Sequence, residues 1–418
     1  MSPIDNHLNA KGNPVIPVYA ADPHAELLGD RYYIYATHAG IYSSAKALHE
    51  RGEGENHGFA VWSSRDLKTW NNDGPILRFT DVPWARELGD AWAPCIAQRN
   101  GRFYFYFCAG SSIGVAVGDS PTGPFHDILG EPLVPFREDM SSIDPMVFID
   151  DDGQTYFYWG AVPGSEKPGR DICMHLSVQP LNADMVSFAG EAVPTIWTQK
   201  SPGGWGALDH LEASHVFKRQ GIYYLMWSPG WFDSDDDSKT YRVHYATSSS
   251  PLGPWKEAAN NPILSSRRSV GVIGPGHHST MRIPGTDEWF CVYHCHKGDS
   301  DRRTFIDAMR FDSQGAIETI IPTLEGPPAR PIQIELCLSE KGPLNGKAVL
   351  MEARFSGDAQ AATPIEFFSS SHSIGHSAAG SSSFEWKQAS SGFHRLSARA
   401  TLSSGEVVTS APLNLDVV

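Results

Sequence analysis

Ala21-Asp22-Pro23-His24-Ala25-Glu26-Leu27-Leu28-Gly29-Asp30-Arg31-Tyr32-Tyr33 sets an acid a few residues ahead of a glycine turn that opens an aromatic strand. The arrangement returns at Ile143-Asp144-Pro145 before Gly153-Gln154-Thr155-Tyr156-Phe157, and at Leu211-Glu212-Ala213-Ser214 before Gly221-Ile222-Tyr223-Tyr224. The same strand type occurs twice more, at Gly101-Arg102-Phe103-Tyr104-Phe105-Tyr106-Phe107 and at Glu288-Trp289-Phe290-Cys291-Val292-Tyr293. Five units therefore begin near residues 29, 101, 153, 221 and 286, a period of roughly 50 to 70 residues. Three of them carry a carboxylate at what reads as one equivalent position.

Each aromatic strand is followed by another short strand and a turn. Two of these turns are nearly identical, Asp119-Ser120-Pro121-Thr122-Gly123-Pro124-Phe125 and Ser249-Ser250-Pro251-Leu252-Gly253-Pro254-Trp255. Pro and Gly set such turns. No convincing helical period appears beyond single turns near residues 42–50. Short β units repeated around an axis make a propeller, because one unit cannot bury both its faces alone. The expectation is an all-β chain with a five-bladed β-propeller over residues 1–325.

After the Pro-rich break Gly326-Pro327-Pro328-Ala329-Arg330-Pro331 the texture changes to period-2 segments with Ser- and Gly-rich turns. This predicts a small antiparallel β-sandwich over residues 332–418. It resembles the immunoglobulin-like modules appended to bacterial carbohydrate enzymes. Trp386 and Phe393 are its candidate sugar-stacking aromatics, with a structural spacer as the plainer reading.

A formal charge of −15 argues against nucleic-acid partners and anionic membrane surfaces, so a neutral substrate such as a sugar fits best. Met1-Ser2-Pro3-Ile4-Asp5-Asn6-His7 has no basic region leading into an apolar run, so no signal peptide is read there. A cytoplasmic location is expected, or a secreted or periplasmic one if a leader has been removed. The six cysteines form no C-x-x-C pair. Strand alternation puts Cys291 and Cys295 on one face and His294 and His296 on the other, which argues against zinc there.

Propeller geometry brings Asp22, Asp144 and Glu212 to one mouth of the channel. Converging carboxylates repel, so at least one holds its proton near neutral pH. Cleavage of a glycosidic bond needs that pairing: an acid for the leaving oxygen and a carboxylate to activate water.

With these segments, Asn13-Pro14-Val15, Trp92-Ala93-Pro94, Glu212-Ala213-Ser214-His215 and Gly274-Pro275-Gly276-His277, the chain resembles glycoside hydrolase family 43. That family implies a five-bladed propeller that cleaves arabinosyl and xylosyl linkages with inversion. The resemblance implies Asp22 as general base, Glu212 as general acid, and Asp144 as the group that orients Glu212 and raises its proton affinity. It also implies that Trp92 walls the sugar subsite, and that Arg302, or its neighbour Arg303, reaches the sugar. His277 would bear on a structural calcium or sodium ion through water, with no cofactor required for the chemistry. His278 stands where many members have Asn. Asp90 is a weaker site candidate, and the acidic run 233–237 reads as a solvated rim loop. The expected activity is an exo-acting α-L-arabinofuranosidase on arabinose- or xylose-containing oligosaccharides, with β-xylosidase, galactosidase or galactofuranosidase activity, or a non-catalytic sugar-binding propeller, as alternatives. Insertions at 39–57, 161–171 and 196–210 would wall the pocket.

Overall fold

The computed structural model describes residues 12–37, 57–88, 91–136, 140–163, 174–198, 211–231, 234, 236–296, 301–345 and 348–418. Asp90, and most of the three insertions expected to wall the pocket, lie outside the described residues, as do the single turns expected near 42–50. The described residues contain no α-helix, so none is long and apolar enough to cross a membrane.

Up to residue 309 the strands form five antiparallel sheets in chain order. The first sheet runs Ala21–Leu28, Arg31–Thr37, Gly58–Ser64 and Asn71–Arg78. The second begins with Ala91–Arg99 and Arg102–Ala109, the third with Met140–Ile149 and Thr155–Pro163, the fourth with Leu211–Arg219 and Ile222–Pro229. Each of these four has four strands. The fifth has three, Ile273–Arg282, Trp289–His296 and Arg303–Met309. The N-terminal segment lies beside its last strand, with Ile16 bridged to Thr304 and the Val15 amide donating to the Thr304 carbonyl at 2.9 Å.

The packing explains the aromatic runs. Five separate apolar cores fill the gaps between consecutive sheets, the last lying between the fifth sheet and the first. Successive side chains of one strand feed different cores: Tyr33 and Tyr35 pack toward the second sheet, Tyr32 and Ile34 toward the fifth. A strand buried on both faces reads as continuously apolar rather than alternating. The first strands of consecutive sheets touch one another around the whole circuit, the fifth against the first. Their N-terminal ends therefore share one mouth.

Residues 334–417 build two further sheets around a sixth core. Ile334, Leu336, Val349 and Met351 from one face Phe367, Leu396, Ala398 and Leu415 from the other. Alternation is clean here, because each strand has one covered face. This part is fastened to the ring of sheets: Arg99 grips Asp416 with two hydrogen bonds of 2.7 Å, and Arg395 donates to the Ile149 carbonyl at 2.7 Å. Phe393 packs so closely on Gly153 that a Cβ there would fall 2.3 Å from its ring. Trp386 is half-buried against His394. Both aromatics are thus engaged in packing rather than presented as a sugar platform.

Candidate active site

Each of the five first strands is interrupted, the fifth by two adjacent register shifts, at Ile273/Gly276 and Gly276/His278. A register shift in the pairing with the second strand coincides with a residue in the left-handed region. Those residues are Asp22 (φ 53), Ala93 (φ 28), Asp144 (φ 60), Ala213 (φ 63) and His277 (φ 40). A bulge of this kind turns a side chain off the sheet face and frees a backbone amide. The expectation that the three acids share one position is therefore corrected by one residue. Asp22 and Asp144 stand on the bulge, whereas Glu212 precedes it and matches Trp92 in the second sheet. The spacing to the next glycine varies between units, which hid the offset.

The freed amides are satisfied in a repeating way. The residue before each bulge pairs with Thr37, Cys108, Gly160, Ser228 or His294 on the second strand. Four of these side chains accept from the bulge amide of the next sheet. Ala93 donates to Thr37 Oγ1 (2.8 Å), Asp144 to Cys108 Sγ (3.3 Å), His277 to Ser228 Oγ (2.9 Å) and Asp22 to His294 Nδ1 (3.0 Å). Gly160 has no side chain to offer, and the Ala213 amide donates to Asp144 Oδ2 at 3.1 Å instead.

Asp22 is buried, 6 % exposed. Its Oδ2 accepts from Thr37 Oγ1 at 2.5 Å, and its Oδ1 accepts from Arg302 Nη1 at 3.1 Å. Arg302 also donates to Tyr19 Oη at 2.9 Å. Burial by itself would raise the carboxyl, but the Arg302 charge, joined by His277 and His294 only where they are protonated, holds it well below the usual carboxylate range. Neither histidine is a cation at neutral pH: burial lowers both, His294 to about 4. His294 Nδ1 accepts the Asp22 amide, so it cannot also donate to the carboxylate oxygen 3.1 Å away. Arg302 therefore supplies the lasting positive charge on Asp22.

Asp144 behaves oppositely. Burial, then Glu212, then Asp22 push its carboxyl well above the ordinary value. Glu212 accepts a short hydrogen bond from Tyr241 Oη, a donor that supports negative charge on its acceptor. The two carboxyls titrate as a pair. Tyr241 stacks on His294 with ring centroids 5.7 Å apart and covers Gly276, where a Cβ would fall 2.4 Å from its ring. Tyr241 and His294 were not found from sequence as site residues. Tyr241 lies in no repeated motif, and the sequence offers His294 only as a candidate zinc ligand, a reading that strand alternation argues against. The alternation in that strand is as expected: Cys291, Tyr293 and Cys295 face the core between the fourth and fifth sheets.

His277 Nδ1 lies 3.2 Å from Asp22 Oδ1 and 3.8 Å from Asp144 Oδ2. With Asp144 and Glu212 it offers three ligand atoms within 4.8 Å of one another. These do not fit calcium, which takes six to eight oxygens. One of the three is nitrogen, and both carboxylates already accept protein hydrogen bonds. Trp92 is half-buried on the inner strand of the second sheet. Arg303 turns toward Asp301, its Nη2 3.8 Å from the carboxylate, and Arg302 faces the acids. In the run 233–237, residues 233 and 235 lie outside the described residues; Asp237 pairs with Arg268 at 3.0 Å.

The chain is similar to known proteins over most of its ring of sheets. The model of glycosyl hydrolases family 43 matches residues 11–317. The β-D-galactofuranosidase XynD of Aspergillus niger is 34 % identical over 334 residues, covering 75 % of this chain and 86 % of that protein. Xylosidase/arabinosidase 43A of Humicola insolens is 29 % identical, covering 73 % of this chain and 98 % of that protein. A crystal structure of a thermostable family-43 glycoside hydrolase superimposes with a TM-score of 0.62 at 31 % identity, covering 77 % of this chain and 98 % of the other.

Proposed function

The chain belongs to glycosyl hydrolases family 43, and from that membership we propose an inverting, exo-acting glycosidase that releases terminal α-L-arabinofuranosyl residues from oligo- and polysaccharides. The observation that carries this is the opposite proton affinity of two carboxyl sites in one buried cluster: Asp22 held ionised, and the Asp144–Glu212 pair holding a proton. The ring of sheets is read as a five-bladed propeller over residues 1–325, and residues 332–418 as an immunoglobulin-like accessory domain.

In the proposed reaction Asp22 accepts a proton from water as the water oxygen bonds to the anomeric carbon. The bond from that carbon to the leaving oxygen breaks, and Glu212 delivers its proton to that oxygen. The pair's proton must therefore sit on Glu212 once substrate is bound; substrate that takes the Tyr241 hydroxyl away from Oε1 favours that transfer. Arg302 keeps Asp22 ionised, and its nearness to that carboxylate supports the reading that it reaches the sugar, with Trp92 walling the subsite. No metal enters these steps.

A second reading has its own support. The relative at 34 % identity is named a β-D-galactofuranosidase. β-D-Galactofuranose repeats the ring stereochemistry of α-L-arabinofuranose and adds one exocyclic carbon, so one site can be shaped for either. Assays with nitrophenyl α-L-arabinofuranoside, β-D-xylopyranoside and β-D-galactofuranoside decide between them. Preference for the arabinofuranoside supports the first reading; preference for another glycoside replaces its sugar, and no turnover of any removes the exo-glycosidase reading.

A further inference from the structure

The five bulges make an internal comparison possible, and one of them breaks the rule. At four positions a second-strand side chain, Thr37, Cys108, Ser228 or His294, takes the bulge amide of the next sheet. At the fifth the side chain is missing. Gly160 pairs with Ile143, as Thr37 pairs with Ala21 and Ser228 with Glu212, and the orphaned Ala213 amide is taken by Asp144 Oδ2. A buried amide must find an acceptor, and leaving it bare costs about 1–3 kcal/mol.

Neither space nor backbone demands glycine here. A Cβ at 160 would meet Ile143 Cγ1 at 3.6 Å, Ile143 O at 3.7 Å and Glu212 Cα at 3.9 Å, all ordinary van der Waals contacts. Its φ is not in the left-handed region, since it is absent from the positive-φ glycines. Glycine within a strand also costs about 0.5–1 kcal/mol relative to alanine. What glycine does provide is the absence of a competing acceptor. We propose that Gly160 is a positioning residue: by offering no side chain, it binds the Asp144 carboxyl oxygen to the amide of Ala213, the residue next to Glu212, and so fixes the two carboxyls against each other. The first sheet shows the alternative. There Thr37 accepts the Ala93 amide and donates its hydroxyl hydrogen bond to Asp22 Oδ2, so that carboxylate takes no amide of the next sheet.

The consequence for catalysis rests on the acid role proposed for Glu212; the hydrogen-bond arrangement does not. Gly160→Ser restores the hydroxyl found at Thr37 and Ser228, and Gly160→Ala adds bulk without an acceptor. Two readings are taken on both variants in the full chain. The first is the Ala213 amide proton shift by NMR, which lies downfield while the Asp144 carboxyl oxygen accepts it. It is expected to stay in place in Gly160→Ala and to move upfield in Gly160→Ser. The second is kcat and KM on glycosides of good and poor leaving groups. Gly160→Ser is expected to lose kcat on the order of tenfold on poor leaving groups with KM unchanged, while Gly160→Ala keeps both. Equal losses in the two variants, or an Ala213 shift unmoved by serine, would overturn the proposal. If the wild-type chain turned over none of the glycosides, the functional reading would fail, and the amide shift would still decide the role of Gly160.

Discussion

Arg302 Nη1 stands 3.1 Å from Asp22 Oδ1, inside a cluster where burial alone would protonate that carboxylate. A single guanidinium is thus the lasting cation on the proposed base, since burial lowers both His277 and His294. Replacing Arg302 with Ala removes that charge and lets burial prevail. The acid limb of kcat/KM is expected to move up by about one to three pH units, measured on the preferred nitrophenyl glycoside. An unmoved limb would show that Asp22 is held ionised by something else.

The same pair carries a stability consequence whose sign is fixed. A carboxyl depressed in the folded state stabilises the fold above its unfolded value of about 3.9 and loses that contribution as pH falls through the folded value. Asp22 is such a group. Wild-type protein is therefore expected to be stabilised relative to Arg302→Ala at pH 6, with the gap closing below about pH 4. Chemical denaturation at the two pH values checks this.

Tyr241 donates from Oη to Glu212, and its ring lies over Gly276. Tyr241→Phe keeps the stacking on His294 and removes only the donor. A hydrogen bond to a charged group contributes about 1.5–3 kcal/mol, so the alkaline limb governed by the Asp144–Glu212 pair is expected to rise by about one to two units. A fall in the limb, or none, would mean that Tyr241 does not favour the ionised acid.

How much of this was legible in the sequence depended on repetition. Asp22, Asp144 and Glu212 stood out because similar strands follow them, and all three do converge. The offset of Glu212 was not legible, because a bulge adds a residue without changing the apolar pattern around it. Ala93-Pro94 beside Asp22-Pro23 and Asp144-Pro145 was the available clue. Gly160 carried no signal at all: its meaning is the lack of a side chain at a position defined only by pairing. The cores between sheets were foreshadowed by aromatic runs such as Tyr104–Cys108, which make sense only if both strand faces are buried.

The grip of Arg99 on Asp416 ties the C-terminal sheets to the ring, and the Arg99 side chain is 5 % exposed. Asp416 is only partly buried and keeps the Asn100 donor, so the loss is that of hydrogen bonds to a charged group, about 1.5–3 kcal/mol. Arg99→Ala is expected to lower the unfolding midpoint in calorimetry while leaving kcat unchanged at 25 °C. Loss of activity at that temperature would place the C-terminal sheets in the catalytic machinery.

His277, Asp144 and Glu212 lie together, yet they do not make an oxygen-rich cation site. Exhaustive dialysis against a chelator is expected to leave kcat and the unfolding midpoint unchanged. A loss restored by calcium would show that further ligands complete a site there.

The central claim is that Asp22 directs water while the Asp144–Glu212 pair protonates the leaving oxygen in one displacement. Proton NMR of the first sugar released from the preferred glycoside tests it most directly. The account predicts that the anomer formed before mutarotation has the configuration opposite to the substrate's. First release of the same configuration would contradict it, because retention requires a covalent intermediate that a water-directing Asp22 cannot form.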